Sequence, residues 1–260
     1  MTDLDDAYAA MVAAPDGDDA PRLRYYAALS DGEMILVLET EAERGNVTPK
    51  VFEIEEGPVV LAFDSEDKLA AFAAGTVPYA ALPGRVIAQQ LAGQGIGLAV
   101  NLGAPSMMLF PPDAVEWLAD TLAQEVAEAE AVPVAFAAPM GIPAGFLDVL
   151  RAKLARARGR AGMAVLSAVT YADGRRGHVL GLIDAQAGAE AGLARAVNEA
   201  LIFSGLDAGE MDVVFLPASD TRAGLMQVQG LVLDMTAAAP VVADAPKPPG
   251  FDPDKPPKLR

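Results

Sequence analysis

Six residues stand where type and spacing would build a binding surface: Ser65, Asn101 and Gly103 in the first half of the chain, and Arg151, Arg156 and Arg158 in the second. Ser65 belongs to the run Asp64-Ser65-Glu66-Asp67, which follows the apolar Leu61-Ala62-Phe63. Such a run either holds a hard cation through its oxygens or caps a helix. In the second case Asp64 or Ser65 accepts a free N–H and the later acids meet the positive end of the helix dipole. The ligand spacing of a calcium loop is missing, so capping is the reading taken. Asn101-Leu102-Gly103 ends a second apolar run. Polar residues that end adjacent strands lie side by side, so this turn and the Ser65 region form one candidate surface.

Arg151, Lys153, Arg156, Arg158 and Arg160 place five cations in ten residues. They read as a solvated helix face whose charges suit the negative C-terminal end, or as a docking patch for the acidic first half or an acidic partner. His178, the single histidine, stands alone in a predicted strand and reads as a packing residue rather than a base. Trp117, beside Leu118, reads as a core or inter-domain anchor.

Other chemistries are closed. The 260 residues include no cysteine, which removes disulfides, thiolate metal sites and thiol nucleophiles. One histidine cannot build a multi-histidine zinc site. A net charge of -17 argues against nucleic acid as a partner. Gly93-Gln94-Gly95-Ile96-Gly97 follows a predicted helix and opens a strand, whereas a dinucleotide fingerprint follows a strand and opens a helix; it reads as a turn. No basic, apolar leader and no membrane-length apolar run is present, so a cytoplasmic chain is expected. No catalytic constellation, metal or cofactor is expected.

The elements that must position these residues divide by charge. Residues 1–130 carry 23 acids and 6 bases, residues 131–238 carry 10 and 9, and residues 239–260 carry 3 and 4. The shift predicts a boundary near residue 130. Four segments follow: an N-terminal helix over 1–19 that leads into the fold, an α+β domain over 20–130, a second over 131–238, and a proline-rich, disordered tail over 239–260, which could dock in an aromatic-lined groove. In the first domain, a hairpin over 50–63 leads into a helix near 67–72; a connector spans 76–82, a helix 83–91, a strand 98–102 and a proline-started helix 114–130.

In this order, Leu61-Ala62-Phe63-Asp64-Ser65-Glu66, the helix from Gly84-Arg85-Val86 to Leu91, the turn and strand Gly95-Ile96-Gly97-Leu98-Ala99-Val100-Asn101-Leu102-Gly103, and the helix begun at Pro112 resemble the N-terminal domain of the bacterial enhanced-serine-sensitivity, or SseB, family. The second half is similar to that family's C-terminal domain. The resemblance implies a cytosolic two-domain protein without established catalytic residues, whose excess perturbs serine tolerance.

The second half alternates as β-α-β-β-α-β, which predicts a ferredoxin-like sheet, with residues 221–235 left over and Leu231-Val232-Leu233 as one more strand. The fold class is thus α+β. The expected function is a non-enzymatic protein-interaction or regulatory module with a protein partner. The alternative is a small-molecule sensor with an amino acid as ligand.

Overall fold

The computed structural model describes residues 1–42, 47–124, 132–206 and 211–236. The expected tail, and residues 125–130 of the expected fifth helix, lie outside the described residues. In chain order the first half forms α1 (Asp3–Val12), α2 (Ala20–Asp31), β1 (Glu33–Val37), β2 (Val51–Ile54), β3 (Gly57–Phe63), α3 (Glu66–Phe72), β4 (Tyr79–Pro83), α4 (Gly84–Leu91), β5 (Gly97–Val100), β6 (Met108–Phe110) and α5 (Pro112–Ala123). The second half forms β7 (Pro133–Ala137), α6 (Ala144–Arg156), β8 (Met163–Tyr171), β9 (Arg176–Ile183), α7 (Glu190–Ile202), β10 (Met211–Leu216), α8 (Thr221–Gln229) and β11 (Leu231–Asp234). The architecture is α+β, as the periodicities predict.

Strand alternation splits the first core into two faces. Val60 and Ala62 of β3 meet Met34, Leu36, Leu98 and Val100 on the inner face. Val59, Leu61 and Phe63 meet Ile35, Val37 and Ala99 on the outer face. Each fully buried large side chain contributes about 1.5–3 kcal/mol. The sheet order is β4-β1-β3-β5-β6, with β2 also on β3. The central pair β3 and β5 is parallel, whereas β1 is antiparallel to both β3 and β4.

β4 replaces the expected connector. Only Ala80 and Leu82 of Tyr79-Ala80-Ala81-Leu82-Pro83 pack on the core cluster, too weak an alternation to read as a strand. Its Pro83 suits an edge, where the missing N–H costs no ladder bond. α8 was likewise not expected; its core contribution is Ala223 and Met226, a short stripe of one turn.

The second sheet runs β10-β9-β8-β11, with β7 also on β8. The predicted element order is present, but the strands pair in chain order, which corrects the ferredoxin-like expectation: a split βαβ unit needs its first and third strands as neighbours. The physical reason lies in β8. Its hairpin partner β9 takes one edge, pairing Thr170 with Arg176. The other edge is shared end to end, β7 on residues 168–171 and β11 on residues 163–166. β10 then joins β9 in parallel through the α7 crossover.

The two halves share one core. α2 packs on α6 and α7, and α5 packs on α7, so Leu29, Leu118, Leu150 and Val197 belong to a single buried cluster. The outer face of each sheet carries one short helix, α3 on the first and α8 on the second.

Candidate functional site

The parallel pairing of β3 and β5 brings the residues that follow them, Asp64 and Asn101, to one end of the sheet. Asn101 is fully buried. Its Oδ1 accepts the Asp64 backbone N–H at 3.1 Å, and its Nδ2 donates to Ser106 Oγ at 3.2 Å. Its φ of +52° lies in the left-handed region, which Asn tolerates better than other non-glycine residues. Gly103 (φ +85°) completes the turn and lies against Phe72, whose Cδ2 would be 3.8 Å from a Cβ at that position. Ser65 is the N-cap of α3 and accepts the Lys68 N–H at 3.3 Å. The structure therefore places Ser65, Asn101 and Gly103 together.

Sequence reasoning missed the charged half of this cluster. Lys68 Nζ donates to Asp5 Oδ1 at 2.5 Å, to Asp64 Oδ1 at 2.7 Å and to Ser106 Oγ at 3.4 Å. Ser106 donates to Asp5 at 2.6 Å, and Thr2 Oγ1 donates to Asp64 Oδ2 at 2.5 Å. Burial alone would raise the Asp5 carboxyl, but donors from Lys68, Ser106 and Thr2 hold it well below the usual carboxylate range. Burial lowers Lys68 less than its hydrogen bonds to Asp5 and Asp64 raise it. The N-terminal helix is thus tied to the end of the sheet. The available signal was Thr2-x-x-Asp5, a capping-box pattern. Among the described residues no group of three or more metal-ligating side chains converges.

Beside this cluster the outer face of the first sheet is incompletely covered. The seven-residue α3 buries only Leu69 fully. Phe52, Ile54, Val77, Leu102 and Leu109 stay half-buried around it. Phe72 is 42% exposed and Tyr79 45%; the Tyr79 hydroxyl donates to Glu66 at 2.8 Å. Glu55, Glu56, Glu66 and Asp67, on the neighbouring turn and helix, are all exposed.

The basic cluster does not form one patch. Lys153 is 4% exposed and lies on Glu199 Oε2 at 2.5 Å and Asp31 Oδ2 at 2.9 Å. Arg85 bridges the same two carboxylates, Asp31 at 2.5 Å and Glu199 at 3.0 Å. Arg156 adds a bond to Asp31 at 2.7 Å, whereas Arg151 pairs with Asp148 at 3.7 Å in solvent and exposed Arg158 lies by Asp234. Only Arg156 of the three predicted arginines thus touches the first half. Lys153 was legible as an anomaly: it falls three residues after Leu150 and one before Leu154, on the apolar stripe of α6.

His178 is half-buried in β9, and its Nε2 lies 3.0 Å from the Met140 carbonyl oxygen. The adjoining cleft of about 80 Å³ is lined by Gly141, Ile142, Pro143, Leu201, Leu206 and Met211 besides His178. That is small beside the roughly 300–1,000 Å³ of ligand pockets. Trp117 corrects the anchor expectation. It is 41% exposed on α5 and packs edge-on against Tyr26, with ring centroids 5.1 Å apart. No helix among the described residues is long and apolar enough to cross a membrane.

Residues 4–117 match the family model described as SseB protein N-terminal domain. The match covers the strand-end cluster apart from Thr2 and the outer face, and stops short of the second half, where the resemblance implies the family's C-terminal domain. No curated protein and no solved structure matches the chain.

Proposed function

We propose that this chain, an SseB-family protein through residues 4–117, is a non-enzymatic interaction module that docks a basic segment with apolar anchors on the outer face of its first sheet. The observation that supports this reading is the pairing of uncovered apolar groups with acids on that face: Phe72 and Tyr79 are exposed beside half-buried Phe52, Leu102 and Leu109, and Glu55, Glu56, Glu66 and Asp67 stand around them. Exposed apolar patches rimmed by polar groups mark interaction sites. Charge complementarity selects the occupant, since residues 1–130 carry 23 acids against 6 bases. The Ser65 and Asn101–Gly103 turns form one end of this surface and are fixed in place by the Lys68 network. A cytoplasmic setting and the link to serine tolerance that the resemblance implies belong to the same reading.

The test is a titration of the full chain with two fluorescent peptides, one alternating Lys with Leu and one alternating Glu with Leu. The Lys peptide is expected to bind, to weaken with added salt and to lose about tenfold or more in affinity when Phe72 is replaced by Ser. Equal binding of the two peptides, or Lys-peptide binding that Phe72→Ser leaves unchanged, contradicts the proposal.

A further inference from the structure

β10 is an outer strand of the second sheet, and its sequence Met-Asp-Val-Val-Phe-Leu has none of the devices that protect the other edges. β4 contains Pro83, and β7 begins at Pro133 and carries a register shift against β8. β6 has three residues; β2 and β11 have four residues each. β10 has six residues, one charge and no proline. It pairs with β9 along its whole length, and among the described residues no backbone group pairs with its other edge. Val213, Val214 and Phe215 are each half-buried, packed on the core yet leaving some apolar surface open along the unpaired edge. α8 packs mainly on β7, β8 and β9 and reaches β10 only through the cluster of Ala223 and Met226 with Val214 and Leu216, while α7 lies on the other face, so the faces of β10 are partly covered and its outer edge is not. A long apolar edge with unpaired N–H and C=O groups is a template for another strand.

We infer that two copies of this chain associate through β10, pairing their edges antiparallel about a two-fold axis so that the second sheets run on into one another. A second copy is the fitting occupant for two reasons. An antiparallel strand pair about a two-fold is self-complementary, because each residue meets its equivalent surface on the other copy. Charge points the same way: residues 131–238 carry 10 acids and 9 bases, while residues 1–130 carry the net -17. The near-neutral half is where two such acidic chains meet with least repulsion. This surface is separate from the outer face of the first sheet, so either reading can fail without the other.

Sedimentation of the full chain from about 1 to 100 μM is expected to show a monomer–dimer equilibrium. Val214→Lys is expected to raise the dimer dissociation constant at least tenfold, while circular dichroism and a cooperative urea transition show that the chain still folds. The chain has no cysteine, so Val214→Cys accepts a single spin label. Dipolar spectroscopy is expected to give a label-to-label distance below about 20 Å there and a longer one, or none, for Val228→Cys on α8, since paired strands lie about 5 Å apart. A monomer over the whole range overturns the inference. So does a dimer that Val214→Lys leaves intact, or one whose labels at 214 are far apart.

Discussion

The side-chain Oδ1 of Asn101 takes the backbone N–H of Asp64 at 3.1 Å, joining the ends of two parallel strands 37 residues apart in the chain. Among the described residues no backbone carbonyl takes that N–H, so the asparagine completes the ladder. Replacing Asn101 by Ala removes the acceptor and forces a Cβ residue without a polar group to hold φ +52°. The expected loss is about 2–4 kcal/mol from the unpaired, partly buried N–H and the left-handed backbone. Asn101→Gly keeps the backbone permissive and should lose about 1 kcal/mol less. Urea denaturation of both variants checks the order; equal losses would remove the backbone part of the account.

Glu199 and Lys153 form the most buried ion pair between elements of the described chain, at 2.5 Å, and Asp31 and Arg85 connect it to the first half. Glu199→Ala leaves a buried ammonium short of a partner and should cost about 3–5 kcal/mol. Replacing both members, Lys153→Met with Glu199→Leu, should recover most of that loss, because the desolvation cost disappears with the charges. Chemical denaturation of the two singles and the double decides; a single substitution costing under about 1 kcal/mol would show that the network is not holding the halves.

Tyr25 is fully buried, stacked on Phe110 with centroids 6.0 Å apart, and its hydroxyl has no hydrogen-bond partner among the described residues. Burial, with the carboxylates of Asp64 and Asp5 adding to it, pushes the phenol far above its ordinary value. Tyr25→Phe removes an uncompensated polar group and is expected to leave stability unchanged or to raise it by up to about 1 kcal/mol. A loss larger than that in thermal unfolding would mean the hydroxyl is bonded.

The tie on α1 is acid-sensitive. Asp5 has its folded-state pKa lowered from 3.8, so its contribution is present above the unfolded value and is lost as pH falls below about 4 toward the folded one. Apart from this tie, α1 buries only Leu4 fully. Pepsin at pH 2 should therefore release the first helix ahead of the rest, and Asp5→Asn should make the helix cleavable at pH 7 by a neutral protease. Wild-type resistance of Asp5→Asn at pH 7 would show that apolar packing alone holds the helix.

What could be read in the residues followed the strength of local signals. Met163–Tyr171 and the capped start of α3 were legible because a long apolar run and a Ser ahead of two acids each admit one local solution. The meeting of Ser65, Asn101 and Gly103 was legible because adjacent strands end in polar turns. The partners of Lys68 were not, since Asp5 lies 63 residues away and arrives on a helix whose docking depends on tertiary packing. The same holds for Arg85 and Glu199, 114 residues apart. The strand order of the second sheet was misread because β-α-β-β-α-β fixes the sequence of elements but not which edge of β8 receives β7; that depends on the hairpin to β9 and on β11 filling the rest of the edge.

Hydrogen exchange of the full chain with and without the Lys/Leu peptide tests the docking proposal most directly. The account predicts slowed exchange confined to β2, α3, the segment through β4 and residues 102–109. Protection on α8 or β10, or none at saturating peptide, would contradict it.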